Sequence, residues 1–224
     1  MRIKGEISLP GDKSISHRAL MFASLTDGEC VIHNISTGED VESTRKCLAE
    51  CGIQSVKSGN TVRIKGGVFS NPGKPLNCGN SGTTIRLLAG LLAGKRITAE
   101  FIGDESLTKR PMNRIIAPLI EMGVIIESNN GHIPFTIKPR ELNGISFVPS
   151  VASAQVKSCI MLAGLGAIGQ TVINENVKTR DHSEIILKEL GALVSSNGTI
   201  SINPLSRPLK PFEINVPGDP SSAA

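Results

Sequence analysis

The stretch that decides the fold is 81-SGTTIRLLAGLLAG-94, because two other stretches copy its plan: 14-SISHRALMFASLTDG-28 and 153-SAQVKSCIMLAGLGAIG-169. Each opens with Ser, places a cation at its fifth or sixth position, and then runs apolar and small. Further along each unit comes a second match, 49-AECGIQSV-56, 120-IEMGVIIE-127 and 188-KELGALVS-195, aligned on Gly52, Gly123 and Gly191. A third follows: 58-SGNTVRIK-65, 129-NNGHIPFTIK-138 and 196-SNGTISIN-203 each read as a turn and then an alternating strand. The opening serines and the aligned glycines keep one near-constant interval, and self-similarity at a fixed period is the mark of a repeat architecture.

Each unit of about 70 residues therefore reads as helix, strand, helix, strand, hairpin, strand. The first helix is apolar nearly all round, as in LLAGLLAG, which predicts burial. The second, as in ESTRKCLAECG or HSEIILKELG, is amphipathic and ends at a glycine suited to the left-handed stop. Short strands interleaved with helices give an α/β fold of three repeated units, with buried helices and small outer sheets. The final residues 216-VPGDPSSAA-224 echo 9-LPGDKSISHRA-19, and Ser221 falls one repeat interval after Ser153. That register leads to the expectation of a fourth unit beginning there, the chain being the first half of a longer repeated protein.

Composition narrows the function. The 224 residues carry a net charge of +4, a mild excess that suits anionic small molecules without the dense basic clustering of a nucleic-acid surface. With no Trp, no Tyr and six Phe, the chain also lacks base-stacking platforms. Five cysteines, odd in number and without CxxC spacing, argue against a disulfide framework or a zinc site and fit free thiols in a reducing cytoplasm. The start MRIKGEISLPG is too polar for a signal peptide, and no run of 18 apolar residues occurs, so the expectation is a cytoplasmic protein without a membrane partner.

The polar residues gather at the start of each apolar helix: Lys13, Ser14, Ser16 and Arg18; Asn80, Ser81, Thr83, Thr84 and Arg86; Ser153, Gln155 and Lys157. A helix amino end already carries partial positive charge and unpaired N–H groups, so cations there are unfavourable unless an anion is also present. Three such ends brought together would form a multi-anion pocket. The second helices add Arg110, placed just before a proline read as lying in the first helical turn, and Arg180 at the same register. Guanidinium groups suit phosphate and carboxylate. Taken singly, Ser14, Ser81 and Ser153 are equally well plain N-caps, and each cation a solvated or ion-paired side chain. Recurrence in three units favours the shared anion.

Other signals are weaker. The run 164-GLGAIG-169 has dinucleotide-type glycines but ends a helix before a strand, the reverse of the required order. The run 78-CGNSGTT-84 lacks the glycine–lysine pair of a phosphate loop. Asp181, His182 and Glu184 read as capping and dipole complement rather than metal ligands, and Cys47 and Cys51 as core. His33 and His132 have no partner identifiable from the sequence.

Over essentially its whole length the chain resembles the 5-enolpyruvylshikimate-3-phosphate synthase family. LPGDKSISHRAL, GNSGTTIRLLAGLLAG, GDESLTKRPM, SAQVKSCIMLAGL and TRDHSE occur in the family's order and spacing. The resemblance implies the inside-out α/β barrel lobe of the enolpyruvyl transferases, built of three βαβαββ units, in proteins about twice this length. Residues 11–216 would be the N-terminal lobe, 1–10 a crossing segment, and 217–224 the start of a second lobe. The implied reaction transfers the enolpyruvyl group of phosphoenolpyruvate to the 5-hydroxyl of shikimate 3-phosphate, in aromatic amino acid biosynthesis, with no cofactor or metal and as a monomer when full length.

By the same resemblance Lys13 touches both substrates and is catalytic, Ser14 and Arg18 hold the shikimate moiety, and Asn80 and Gly82 line the phosphoenolpyruvate site. Arg110 clamps the phosphoenolpyruvate phosphate, Gln155 bonds the shikimate side, and Ser153, Ala154 and Arg180 hold the 3-phosphate. Many members carry a second serine where Ala154 stands, which leaves only a backbone N–H there. The proton-handling carboxylates come from the second lobe, so the chain alone is expected to be inactive. The alternatives weighed are a relative acting on UDP-N-acetylglucosamine, whose opening motif lacks the KSxSxR run, and a noncatalytic anion-binding module.

Overall fold

The computed structural model describes residues 9–196 and 198–219. The expectations for residues 1–8 and for a fourth unit at Ser221 lie outside the described residues. The first unit contributes α1 (Lys13–Ala23), β1 (Glu29–His33), α2 (Glu39–Glu50), β2 (Ser55–Ser58) and β3 (Thr61–Lys65). The second contributes β4 (Leu76–Asn77), α3 (Gly82–Gly94), β5 (Ala99–Ile102), a short α4 (Glu105–Thr108), α5 (Asn113–Glu121), β6 (Ile125–Asn129) and β7 (His132–Lys138). The third contributes β8 (Ser146–Phe147), α6 (Ala154–Gly164), β9 (Thr171–Ile173), α7 (His182–Glu189), β10 (Val194–Ser195) and β11 (Ile200–Ile202), and β12 (Glu213–Asn215) follows.

Three four-stranded sheets repeat one plan: β4-β5-β7-β6, β8-β9-β11-β10 and β12-β1-β3-β2. In each, the first pair is parallel and the rest antiparallel. The parallel partner of β1 is thus β12, from the far end of the described chain, with Val31 opposite Glu213. The ring of units closes through this pairing, which also gives His33 the partner that the sequence does not reveal: its Nε2 lies 2.7 Å from Glu213 Oε1. Alternation decides which strand face points inward. Val62 and Ile64, then Ile133, Phe135 and Ile137, then Ile200 and Ile202 are buried on β3, β7 and β11.

The helices α1, α3 and α6 form the centre, and buried residues run along nearly all of each. The second helices of the units bury one stripe each and end at Gly52, Gly123 and Gly191, all with positive φ, the conformation glycine reaches without penalty. Glycines also set how closely α3 and α6 approach. A Cβ on Gly90 would lie 2.1 Å from the carbonyl oxygen of Cys159, and one on Gly94 2.8 Å from that of Leu162. All five cysteines are free and buried. Among the described residues no helix is long and apolar enough to cross a membrane.

Candidate anion-binding site

Two of the three central helices are capped at the serines that the repeat alignment implies. Ser81 and Ser153 accept from the backbone N–H groups of Thr84 and Val156, but α1 is capped by Asp12, which accepts from the Ile15 N–H at 2.8 Å. Counted from these caps, Arg18 is the sixth residue, Arg86 the fifth and Lys157 the fourth. Successive residues turn about 100° around a helix, so the three cations leave their helices in three directions.

Lys157 points inward, which corrects its assignment to the pocket. It is 1% exposed and bridges two carboxylates, Glu175 at 3.0 Å and Glu184 at 2.6 Å. A lysine buried that deeply requires such partners, since desolvating an ammonium without a counter-charge is prohibitive. Glu184, read from the sequence as a dipole complement, is one half of this buried bridge. A second correction concerns Arg110. Pro111 lies before α5 rather than in its first turn, and Arg110 instead closes the short helix α4, its N–H bonding the Leu107 carbonyl at 3.0 Å.

Asn80, Gly82, Thr83, Arg86, Arg110 and Gln155 assemble around the first turns of α3 and α6. Arg110 Nη2 donates to Asn80 Oδ1 at 2.8 Å. Arg86 donates through Nη1 to Gln155 Oε1 at 2.8 Å and to the Gly82 carbonyl at 3.2 Å, and Gln155 Nε2 donates to Thr83 Oγ1 at 2.9 Å. Gly82 makes this convergence possible. A Cβ there would lie 2.7 Å from Arg86 Nη1 and 3.2 Å from Arg110 Nη1, so its missing side chain is filled by two guanidinium groups. Burial pushes the Arg86 guanidinium below its ordinary value, and the nearby positive charges of Arg110 and Arg114 push it further. Among the described residues, the hydrogen bonds from Arg86 and Arg110 go only to uncharged oxygens.

On the other side of the α6 amino end sits Arg18. Its guanidinium donates to Ser183 Oγ at 2.8 Å, to Ser158 Oγ at 2.8 Å and to the Ser14 carbonyl at 3.0 Å, all neutral acceptors, although it is 3% exposed. Ser158 in turn donates to the Ala154 carbonyl at 2.7 Å, tying Arg18 to the same helical turn. Burial lowers the Arg18 pKa; Glu184 and Asp12 counter this, and Arg180 adds to it, which puts Arg180 in electrostatic reach of Arg18. Lys13 stands apart from both groups, paired with Asp40 at 3.0 Å, and Asp40 carries the link back, since its carbonyl accepts from Thr84 Oγ1 on α3 at 3.0 Å.

The assembled face is partly open. Lys13, Asn80 and Arg180 are exposed, while Ser14, Arg110, Ser153, Ala154 and Gln155 are half-buried. The first N–H groups of α3 and α6 have no intrahelical acceptor. Clustered guanidinium groups beside such ends make an arrangement that favours an anion. Thr83 and Arg86, counted in the sequence among the helix-start donors but given no individual role, and Ser158 and Ser183, not singled out there, bond directly to Gln155 and Arg18.

Comparison with known proteins converges on one family. A family model described as EPSP synthase (3-phosphoshikimate 1-carboxyvinyltransferase) matches residues 1–224. Among curated relatives, a 3-phosphoshikimate 1-carboxyvinyltransferase of Ruthia magnifica subsp. Calyptogena magnifica is 47% identical over 99% of this chain and 52% of its own length. One of Bacillus velezensis is 42% identical over 99% and 53%. The chain spans about half the length of the curated relatives it matches. Among solved structures, EPSP synthase from Acinetobacter baumannii superposes with a TM-score of 0.91 at 39% identity, over 98% of this chain and 51% of that one. Matched end to end by the family model, the chain belongs to the EPSP synthase (3-phosphoshikimate 1-carboxyvinyltransferase) family.

Proposed function

We propose that this chain supplies the substrate-holding half of an enolpyruvyl transferase, which moves the enolpyruvyl group of phosphoenolpyruvate to the 5-hydroxyl of shikimate 3-phosphate and releases phosphate. The supporting observation is the meeting of Arg86 and Arg110 over Gly82, both bonded only to neutral oxygens among the described residues, at the amino ends of α3 and α6. Like charges held together in a half-buried place are stabilised when an anion lies between them. Arg110 and Asn80 would take the phosphoenolpyruvate phosphate, with Gly82 beneath it. Arg18, Ser14 and Gln155 would hold the shikimate ring. Ser153, the Ala154 N–H and Arg180 would take the 3-phosphate, and Lys13 would leave Asp40 to reach both ligands. Acid–base chemistry would come from a second lobe, with residues 11–216 as the first and the two outer segments as the crossing. Within that scheme the reaction needs no cofactor, the assembled protein is a monomer, and the buried free thiols fit a cytoplasmic setting.

Thermal unfolding of the 224-residue chain tests this. Shikimate 3-phosphate raises Tm in a concentration-dependent way, whereas UDP-N-acetylglucosamine and RNA do not. Equal stabilisation by the UDP-sugar, or none by shikimate 3-phosphate, overturns the substrate assignment. Enolpyruvyl transfer by the purified chain alone overturns the two-lobe division of labour.

A further inference from the structure

His17 is fully buried on α1, one residue from Arg18 and one helical turn from Lys13, yet none of the roles above uses it. Its Nδ1 lies 2.7 Å from Thr44 Oγ1 on α2, and Thr44 Oγ1 lies 2.7 Å from Thr84 Oγ1 on α3. The direction of this relay follows from its far end. Thr84 Oγ1 is the donor in both of its other contacts, to the Asp40 carbonyl at 3.0 Å and to Ser81 Oγ at 2.8 Å, so the Thr84 proton is directed to these two acceptors and away from Thr44. Thr44 must then donate to Thr84, and its own oxygen is left to accept from His17. The imidazole proton therefore sits on Nδ1, and Nε2, which is buried without a hydrogen-bond partner among the described residues, is a bare acceptor.

The relay has a second rung one turn away. Lys13 and His17 are four apart on α1, and Asp40 and Thr44 are four apart on α2, so each pair shares a helix face. Lys13 to Asp40 and His17 to Thr44 are parallel rungs joining the same two helices. The inner rung is neutral, as it must be between Lys13 and Arg18, because a proton on Nε2 would set a third cation beside them with no acceptor in reach among the described residues. Burial, first of all, holds the imidazole down to about 3, with Lys13 and Arg18 acting in the same direction and Asp40 opposing them.

We propose that His17 is a positioning residue: held as the neutral Nδ1–H tautomer, it orders a Thr44–Thr84–Asp40 relay that fixes where the Asp40 carboxylate presents Lys13. The importance of Lys13 for ligands rests on the function proposed above, but the relay does not. Two ligand-free measurements on the 224-residue chain decide it. In nitrogen-15 spectra between pH 8 and 5, His17 shows a protonated Nδ1 and a bare Nε2 that do not titrate. A protonated Nε2, or titration in that range, overturns the proposal.

The second measurement is the rate at which acetic anhydride labels Lys13, read by mass spectrometry. Thr44→Val keeps the shape and removes the hydroxyl, and it raises the rate about fivefold, the worth of one typical hydrogen bond. Thr44→Ser keeps the hydroxyl and restores the wild-type rate. Equal rates in the two variants, with both folded by far-ultraviolet circular dichroism, overturn the proposal. Should shikimate 3-phosphate fail to stabilise the chain, the substrate assignment falls while both of these readouts still decide the relay.

Discussion

Gly82 and Gly90 lie two turns apart on α3, and each leaves room for something different. At Gly90 the space is filled by backbone, with the Cys159 carbonyl 2.1 Å from where a Cβ would be. At Gly82 it is filled by the tips of two guanidinium groups. One end of the α3–α6 pair is therefore a rigid seam, and the other is a face of long side chains that can shift. Rigid packing at the carboxyl ends fixes the helix axes, and the axes fix where the amino ends converge. The proposed site lies where the structure can yield; stability sits where it cannot.

The most severe way to strain this division is to remove the buried cation just inside the amino end of α6. Lys157→Met leaves the buried Glu184 and the half-buried Glu175 without their shared partner and destabilises the chain by about 3–5 kcal/mol in chemical denaturation. A loss below about 1 kcal/mol would mean that Lys157 is solvated and belongs to the face after all.

Gly90→Ala comes next. The clash is with backbone, so the helices must separate, at a cost of about 3 kcal/mol, the upper part of the range for overpacking. The Glu50–Lys74 pair, exposed on the surface, serves as the control, since Lys74→Ala changes stability by under about 1 kcal/mol.

Acid sharpens the comparison from the polar side. Burial pushes the His17 imidazole from 6.5 down to about 3. The unfolded chain takes up a proton below about pH 6.5 that the folded chain refuses until near pH 3. This contribution is therefore intact above pH 6.5 and is lost as pH falls through the window, by up to about 1.4 kcal/mol per pH unit. His17→Asn keeps a donor and does not titrate, so denaturation midpoints followed from pH 7 to 4 show a shallower decline than wild type; parallel curves contradict the burial of a neutral imidazole.

The smallest effect on stability is expected at Gly82→Ala, under about 1 kcal/mol, because the new methyl meets only flexible side-chain ends. Its effect on affinity is large. Displacing two guanidinium groups weakens phosphoenolpyruvate binding about tenfold, equivalent to the loss of roughly one charge-assisted hydrogen bond. The contrast between Gly82→Ala and Gly90→Ala, one lowering affinity and the other stability, is itself the outcome to measure.

Much of this was legible in the sequence. The threefold repeat carried the order of elements, the buried first helices and the glycine stops, because periodicity and apolar runs are local properties. The caps at Ser81 and Ser153 were legible for the same reason. Asp12 was not, because the serine that aligns with them, Ser14, sits two residues inside the helix. Recurrence also treated Arg86 and Lys157 as equivalent, although they fall fifth and fourth after their caps, and a cation's direction depends on a single residue of register. Pairings across the chain were also invisible. The closure of β1 on β12 joins positions near opposite ends of the described chain, such as Val31 and Glu213, and no local pattern announces it. Family resemblance supplied substrate identities that geometry alone does not: a cluster of guanidinium groups at helix ends specifies anions in general.

The central claim is that the amino ends of α1, α3 and α6 form one anion-binding face, and backbone amide spectra recorded while shikimate 3-phosphate is added test it most directly. Saturable shifts are expected at Ser14, Ala154, Gln155 and Arg180, and at Gly82 once phosphoenolpyruvate is added as well, with the amides of the Gly90–Cys159 seam unmoved. Shifts spread over unconnected surfaces, or confined to the carboxyl ends of the helices, would contradict it.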